Sequence, residues 1–193
     1  MRRLADLSFT ALLEELGAPR ETPGAGSALA AALAAGAATV QMAARLSRDS
    51  WPEGAGVAAQ AESLRERAVH LVEEDAEVYE RALEARADLV DDKQERRDWT
   101  LGQAVAAAAE PPLALARLAA DLAELCREAA DRIEPRVHAD LAAAAALAAG
   151  VALGARSLVA VNLTALPDDP RVAEADRLAA AAADAAAAIG AGP

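Results

Sequence analysis

Three observations on the sequence point to an all-α fold. Ala supplies most of the 54% hydrophobic residues, and Ala is the strongest helix former. Aromatic residues make up only 2% of the chain and β-branched residues are sparse, which leaves little of what a sheet packs with. Apolar side chains recur at spacings of three, four and seven along most of the chain. The 193 residues suffice for one core and are short for two, so the expectation is a single domain over residues 1–193. It reads as a helical bundle of about seven helices with an Ala-rich, close-packed core. Each Ala removes little apolar area from water, so a homo-oligomer is expected, in which a second subunit buries further surface.

The elements follow in order. Residues 8–16 read as a short helix, with Ser8 as cap, Gly17 as stop and Phe9, Leu12, Leu13 and Leu16 on one face. The loop Pro23-Gly24-Ala25-Gly26 precedes a helix of small residues over 27–46, with Ser27 placed as its N-cap. Residues 47–56 form a second loop, and a long helix spans 57–86. Its expected buried stripe is Val69, Val72, Ala76, Tyr79 and Leu83. Residues 88–98 are a charged connection and 99–109 another helix. Pro111 and Pro112 break that helix, because proline lacks the N–H and clashes with the preceding turn. Helices over 113–131, from Pro135 to the region of Asn162, and over 172–189 complete the chain.

The net charge of −12 argues against nucleic acid and anionic membrane as partners, since both are polyanions. A small anionic ligand reads only its local field and is not excluded. The single cysteine, Cys126, rules out an intramolecular disulfide and reads as a core residue beside Leu122 and Leu125. The N-terminus shows no apolar signal core, and the apolar run 27–40 is too short and Ala-rich for a bilayer. A cytoplasmic protein without membrane contact is expected. His70 and His138 are the only histidines, and no metal motif is present.

Four features carry possible chemistry. The glycine turn lets the backbone approach a ligand, and the following helix start offers unpaired N–H groups. Asp75 falls about 80° from the centre of the long helix's apolar stripe, where a carboxylate is half-buried. Asp140 and Asn162 lie at the two ends of a stripe that also holds Leu147, Val151 and Leu158. If buried, both need partners. Simpler roles compete at each position: a capped helix at Ser27, a solvated carboxylate at Asp75, an N-cap at Asp140 and a C-cap or satisfied amide at Asn162.

Read together, these segments resemble the cyclodeaminase/cyclohydrolase family, which includes the C-terminal domain of formiminotransferase-cyclodeaminase. Pro23-Gly24-Ala25-Gly26-Ser27 looks like the family's Pro-Gly-Gly-Gly-Ser. Met42 and Leu46 fall where the following helix ends in a Met-Val-x-x-Leu-like turn. Glu74-Asp75-Ala76-Glu77-Val78-Tyr79 looks like Asp-Ala-Glu-Ala-Phe, and Pro111-Pro112-Leu113 is similar to Val-Pro-Leu. Asp140 through Asn162-Leu163 is similar to the family's Ser-Asp and Asn-Val-x-Ile-Asn-Leu segments. The resemblance implies an all-α homodimer that binds a reduced folate. Members close 5-formimidoyltetrahydrofolate to the 5,10-methenyl compound with loss of ammonia (a lyase), or hydrolyse the methenyl compound to 10-formyltetrahydrofolate (a hydrolase). It implies Asp75 as acid/base, with Asp140 positioning the pterin or sharing the proton traffic. Pro23, Gly24, Gly26, Ser27, Arg48 and Asn162 would contact the ligand, and no cofactor beyond the folate substrate is implied.

Ala25, Ala139 and Leu158 stand where the family has Gly, Ser and Asn, and the loop at 47–51 lacks the family's lysines. Two alternatives therefore stay open. One is a family-like protein that binds a folate-like or other small ligand without turnover. The other is a structural helical oligomer.

Overall fold

The computed structural model describes residues 3–88, 102–104, 106–166 and 168–190. Six α-helices carry the fold: α1 (Phe9–Leu16), α2 (Ala25–Leu46), α3 (Gly54–Asp88), α4 (Glu110–Ala129), α5 (His138–Asn162) and α6 (Pro170–Gly190). Residues 102–104 are also helical, and no strand occurs among the described residues. The connection expected at 88–98 lies outside the described residues apart from Asp88, which ends α3; of the helix expected at 99–109, residues 102–104 and 106–107 are helical, 108–109 form a turn, and 99–101 and 105 lie outside the described residues.

The core forms where α2, α4 and α5 converge, with α3 packed on α2 and α6 packed on α4 and α5. Leu33, Leu115, Leu118, Leu122 and Leu141 are fully or almost fully buried there, among Ala30, Ala37, Ala119 and Ala145. Small residues set the spacing. A methyl group on Gly36 of α2 would already touch Leu122 of α4 and Leu147 of α5, at 3.6 and 3.8 Å. Cys126 sits inside this core, and burial pushes its thiol up to about 12, so it stays an unreactive neutral thiol at physiological pH.

Helices α2 and α5 run antiparallel. At one end of the bundle the Glu134 N–H donates to Ser47 Oγ at 2.9 Å, and the Arg136 guanidinium donates to the Leu46 carbonyl at 3.4 Å. At the other end Gly154 abuts Leu29. The start of α2 and the end of α5 therefore share one end of the bundle. The end of α2 and the start of α5 share the other. Both helices are long and apolar enough to cross a bilayer by length and composition alone, but both are packed into the bundle.

Several expectations need correction. Ser27 is not the cap of α2. The helix starts at Ala25 after an extended Gly24, and the fully buried Ser27 donates its hydroxyl hydrogen to the Val72 carbonyl of α3 at 2.8 Å. Ser8 does cap α1, accepting from the Ala11 N–H. Only Leu12 of that helix is buried, however, and Phe9 is 74% exposed. The buried stripe of α3 is Ala61, Leu64, Ala68, Leu71 and Val72, which leaves Val69 and Tyr79 partly exposed. Pro111 and Pro112 lie in the first turn of α4, where the missing N–H costs nothing, and the break falls at the Ala108–Ala109 turn. Asp140 lies in the first turn of α5, whose N-cap is Val137.

Candidate functional site

A cleft with about 200 Å³ of space opens at the end of the bundle where α2 begins and α5 ends. The turn before α2 supplies Glu21, Thr22 and Gly24, and α3 supplies Asp75 and, one turn on, Tyr79. Pro112 of α4 and Leu158, Val161 and Asn162 of α5 close the far wall.

The floor is built by Gly26 and Asp75. A Cβ placed on Gly26 would overlap the Asp75 carboxylate. Only glycine at this position lets the acid of α3 lie against the first turn of α2. No residue of the chain with described φ has a positive value, so the requirement at Gly26 is one of space rather than of backbone conformation. The same observation explains why Ala25 is accommodated in the middle of the turn. Asp75 is half-buried, and that loss of water raises its pKa above the usual carboxylate range. The Ser27 N–H pulls it partly back. The carboxylate thus occupies the anion-favouring start of α2, yet remains dry enough for the neutral acid to be accessible.

The far wall is fixed by hydrogen bonds. Asn162 Nδ2 donates to the Ala108 carbonyl at 2.7 Å, which ties the turn before α4 to the end of α5. Arg171 holds the same turn from α6. It donates to the Ala106 carbonyl at 2.8 Å and to Glu110 at 2.7 Å, and it forks onto Asp169 at 2.8 and 2.9 Å. The fork lowers the pKa of Asp169 to about 2.

Of the residues singled out from sequence, Gly24, Gly26, Asp75 and Asn162 meet at the cleft, with Ser27 directly beneath and Pro23 between two lining residues. Arg48 and Asp140 do not meet it. Arg48 follows the last turn of α2 and lies beside Ala55 and Glu62 at the opposite end of the bundle. Asp140 opens α5, and the helix rise puts it roughly 33 Å from Asn162. Among the described residues, the charged groups lining the cleft are the carboxylates of Glu21 and Asp75. Sequence reasoning missed Glu21, Val161, Leu158 and Tyr79 as wall residues. For Leu158 and Tyr79 the signal was present: each stands four residues from a cleft residue on the same helix face.

A half-buried carboxylic acid beside a small, half-apolar cleft can pass a proton to or take one from a bound nitrogen or water. Among the described residues no group of three or more His, Cys, Asp or Glu side chains is placed to hold a metal. The sequence matches the formiminotransferase-cyclodeaminase family over residues 8–189. The fold matches the crystal structure of formiminotetrahydrofolate cyclodeaminase from Thermotoga maritima with a TM-score of 0.86 and 21% identity, covering 97% of this chain and 96% of that one. No curated protein matches the chain.

Proposed function

The chain belongs to the formiminotransferase-cyclodeaminase family, and from that premise we propose that its cleft binds a reduced folate and that Asp75 moves the proton in a cyclodeaminase or cyclohydrolase reaction. The observation that carries this reading is Asp75 itself, a carboxyl with raised pKa on the floor of the cleft, packed against Gly26.

In the cyclodeaminase direction, N10 attacks the formimidoyl carbon on N5, and a tetrahedral carbon forms between the two nitrogens. Neutral Asp75 protonates the amino group on that carbon. Together with the hydrogen released by N10, this lets it leave as ammonia. In the hydrolytic direction, ionised Asp75 takes a proton from water as the oxygen bonds to the methenyl carbon. The C–N5 bond then breaks with a proton delivered to N5, and the second hydroxyl hydrogen is released, leaving the formyl group on N10. Both directions need one group that can give up and take back a proton, and burial moves Asp75 that way by raising its pKa above the usual carboxylate range. Tyr79 and Leu158 offer flat and apolar surface to the ring system. The Gly24–Gly26 backbone allows it close approach. A homodimer in the cytoplasm is part of the same reading.

The test is loss of 5,10-methenyltetrahydrofolate absorbance with purified protein against a blank without protein, alongside ammonia release from the formimidoyl compound. Turnover in either assay that disappears in Asp75→Asn, with helical content unchanged, is the expected result. Full turnover in Asp75→Asn would remove Asp75 from the mechanism. Binding of folate without turnover in either assay would favour the non-catalytic ligand-binding reading, for which Leu158 at an expected Asn position is the specific observation.

A further inference from the structure

Polar groups are distributed unevenly around the cleft. One wall is acidic, with Glu21 from the turn before α2 and Asp75 from α3. The other carries Ala108, Pro112, Leu158 and Val161 and is apolar apart from Asn162. The Asn162 amide is oriented by its bond to the Ala108 carbonyl. A carbonyl accepts only from a donor, so Nδ2 is committed there, and the amide atom left for a ligand is the acceptor Oδ1. The two carboxylates and this oxygen all favour a ligand that brings N–H groups or positive charge.

Glu21 is set in place by its turn. The Thr22 hydroxyl donates to the Ala76 carbonyl at 3.4 Å, which ties the turn to the helix that carries Asp75, and Pro23 is buried beside it. The adjacent cation, Arg20, is engaged by Glu15 of α1. Glu21 itself is exposed, so its charge pays little desolvation. Its role differs from that of Asp75. An acid/base gains and loses its proton in each cycle, so Asp75 is no constant source of charge, whereas Glu21 takes no part in the proton transfer.

We infer that Glu21 is a specificity-determining residue of the cleft, whose carboxylate is the standing counter-charge that makes the cleft favour a positively charged one-carbon group over an uncharged one. The inference rests on the folate reading above. The formimidoyl group on N5 is an amidine and carries a proton near neutral pH, and the 5,10-methenyl bridge is a cation. A formyl group on N5 or N10 is uncharged. Hydrolysis adds water to the methenyl cation and releases one proton, so the product has lost the charge that Glu21 attracts and leaves more readily. The same acidic wall repels the glutamate carboxylates of a folate, which turns the ring end inward and the tail toward solvent. Selectivity is the difference between the two affinities, and Glu21 acts on one of them.

The test compares two probes at equilibrium: 5,10-methenyltetrahydrofolate, the cation, and 5-formyltetrahydrofolate, the uncharged counterpart. Asp75→Asn is the background, because it stops turnover during the titration and leaves Glu21 as the charged side chain lining the cleft among the described residues. Adding Glu21→Gln should weaken methenyl binding about two- to fivefold, the usual worth of a solvent-open ion pair. Glu21→Lys changes the charge by two units and should weaken it about 4- to 25-fold. Binding of the formyl probe should change less than about twofold in Glu21→Gln. The methenyl difference between Glu and Gln should close at about 1 M salt, which loss of a packing contact would not do. Thr22→Val loosens the same turn without altering charge and should leave the ratio of the two affinities unchanged. Equal weakening of both probes, weakening that salt does not remove, or a ratio that Thr22→Val shifts as far as Glu21→Gln would overturn the counter-charge and make Glu21 a packing residue of the turn. Undiminished methenyl binding in Glu21→Lys would overturn it as well. If both probes bind without discrimination, only this inference falls. If neither binds to the wild type, the folate reading falls and takes the inference with it.

Discussion

The Asp75 carboxylate occupies the space that a side chain on residue 26 would need, so Gly26 and Asp75 form one unit built from two helices. Any side chain at residue 26 must displace the acid or push α2 away from α3. Gly26→Ala is therefore expected to lower stability by about 1–3 kcal/mol, the usual range for overpacking, and to cut turnover far more than it cuts helicity. Gly24→Ala is the control. Its added Cβ would meet only the Glu21 carbonyl, at an ordinary 3.5 Å, so its stability should stay near wild type. Thermal melts and the absorbance assay on the two variants separate a specific contact from a generally glycine-sensitive turn.

Asp75 should also leave a signature in stability against pH. Burial raises its folded-state pKa, so the folded protein holds this proton more tightly than the unfolded chain does. The stabilisation from that proton is full below the unfolded value of 3.8 and is lost as pH rises through the raised folded value. Above that raised value the folded protein carries a desolvated carboxylate. Asp75→Asn removes that cost and keeps an oxygen that can accept from the Ser27 N–H. The variant should melt above wild type at pH 7, and the difference should vanish below pH 3.8. An Asn variant less stable than wild type at pH 7 would show that the charge at the start of α2 outweighs its desolvation.

The helices were legible in the sequence because helix formation here rests on local propensity and on caps and stops such as Ser8 and Gly17, which act within a turn or two. Side-chain directions at helix margins were harder. Phe9 and Val69 fit an apolar face by spacing but lie on the outside, because periodicity gives a face and not which neighbour covers it. Asp75 was readable as a margin residue, and Gly26 as part of a close approach. Asp140 and Asn162 share a stripe, yet a helix face runs the length of the helix, so sharing it does not bring its two ends together. The contact between Ser27 and Val72 had no local signal at all, since the two residues are 45 apart in the chain.

Arg171 braces the cleft wall from α6. Its removal takes away bonds to the Ala106 carbonyl, Glu110 and Asp169 together. Arg171→Ala is expected to lower the melting temperature and to weaken ligand binding, although Arg171 does not line the cleft. Acid should mimic part of this effect in the wild type. The folded pKa of Asp169 is depressed to about 2, so its contribution is present above the unfolded value of 3.8 and is lost as pH falls toward 2. Melts from pH 5 down to pH 2 should converge for wild type and Asp169→Asn. A constant gap between them would place the bracing in packing and not in the ion pair.

Tyr79 is the single tyrosine of the chain and lines the cleft one helical turn beyond Asp75. No hydrogen bond to its hydroxyl is present within the described residues, so its contribution to a planar ligand is expected to come from the ring face. Aromatic contacts of this kind are worth about 0.5–1.5 kcal/mol beyond burial, or roughly 2- to 13-fold in affinity. Tyr79→Phe keeps the face and should change KM by less than about twofold. Tyr79→Ala removes both face and buried area and should raise KM by an order of magnitude or more, with kcat changed less, because the proton-transferring carboxyl stays against Gly26. A fall in kcat with unchanged KM in Tyr79→Phe would instead assign the hydroxyl to the chemical step, with Tyr79 and Asp75 sharing the proton between them.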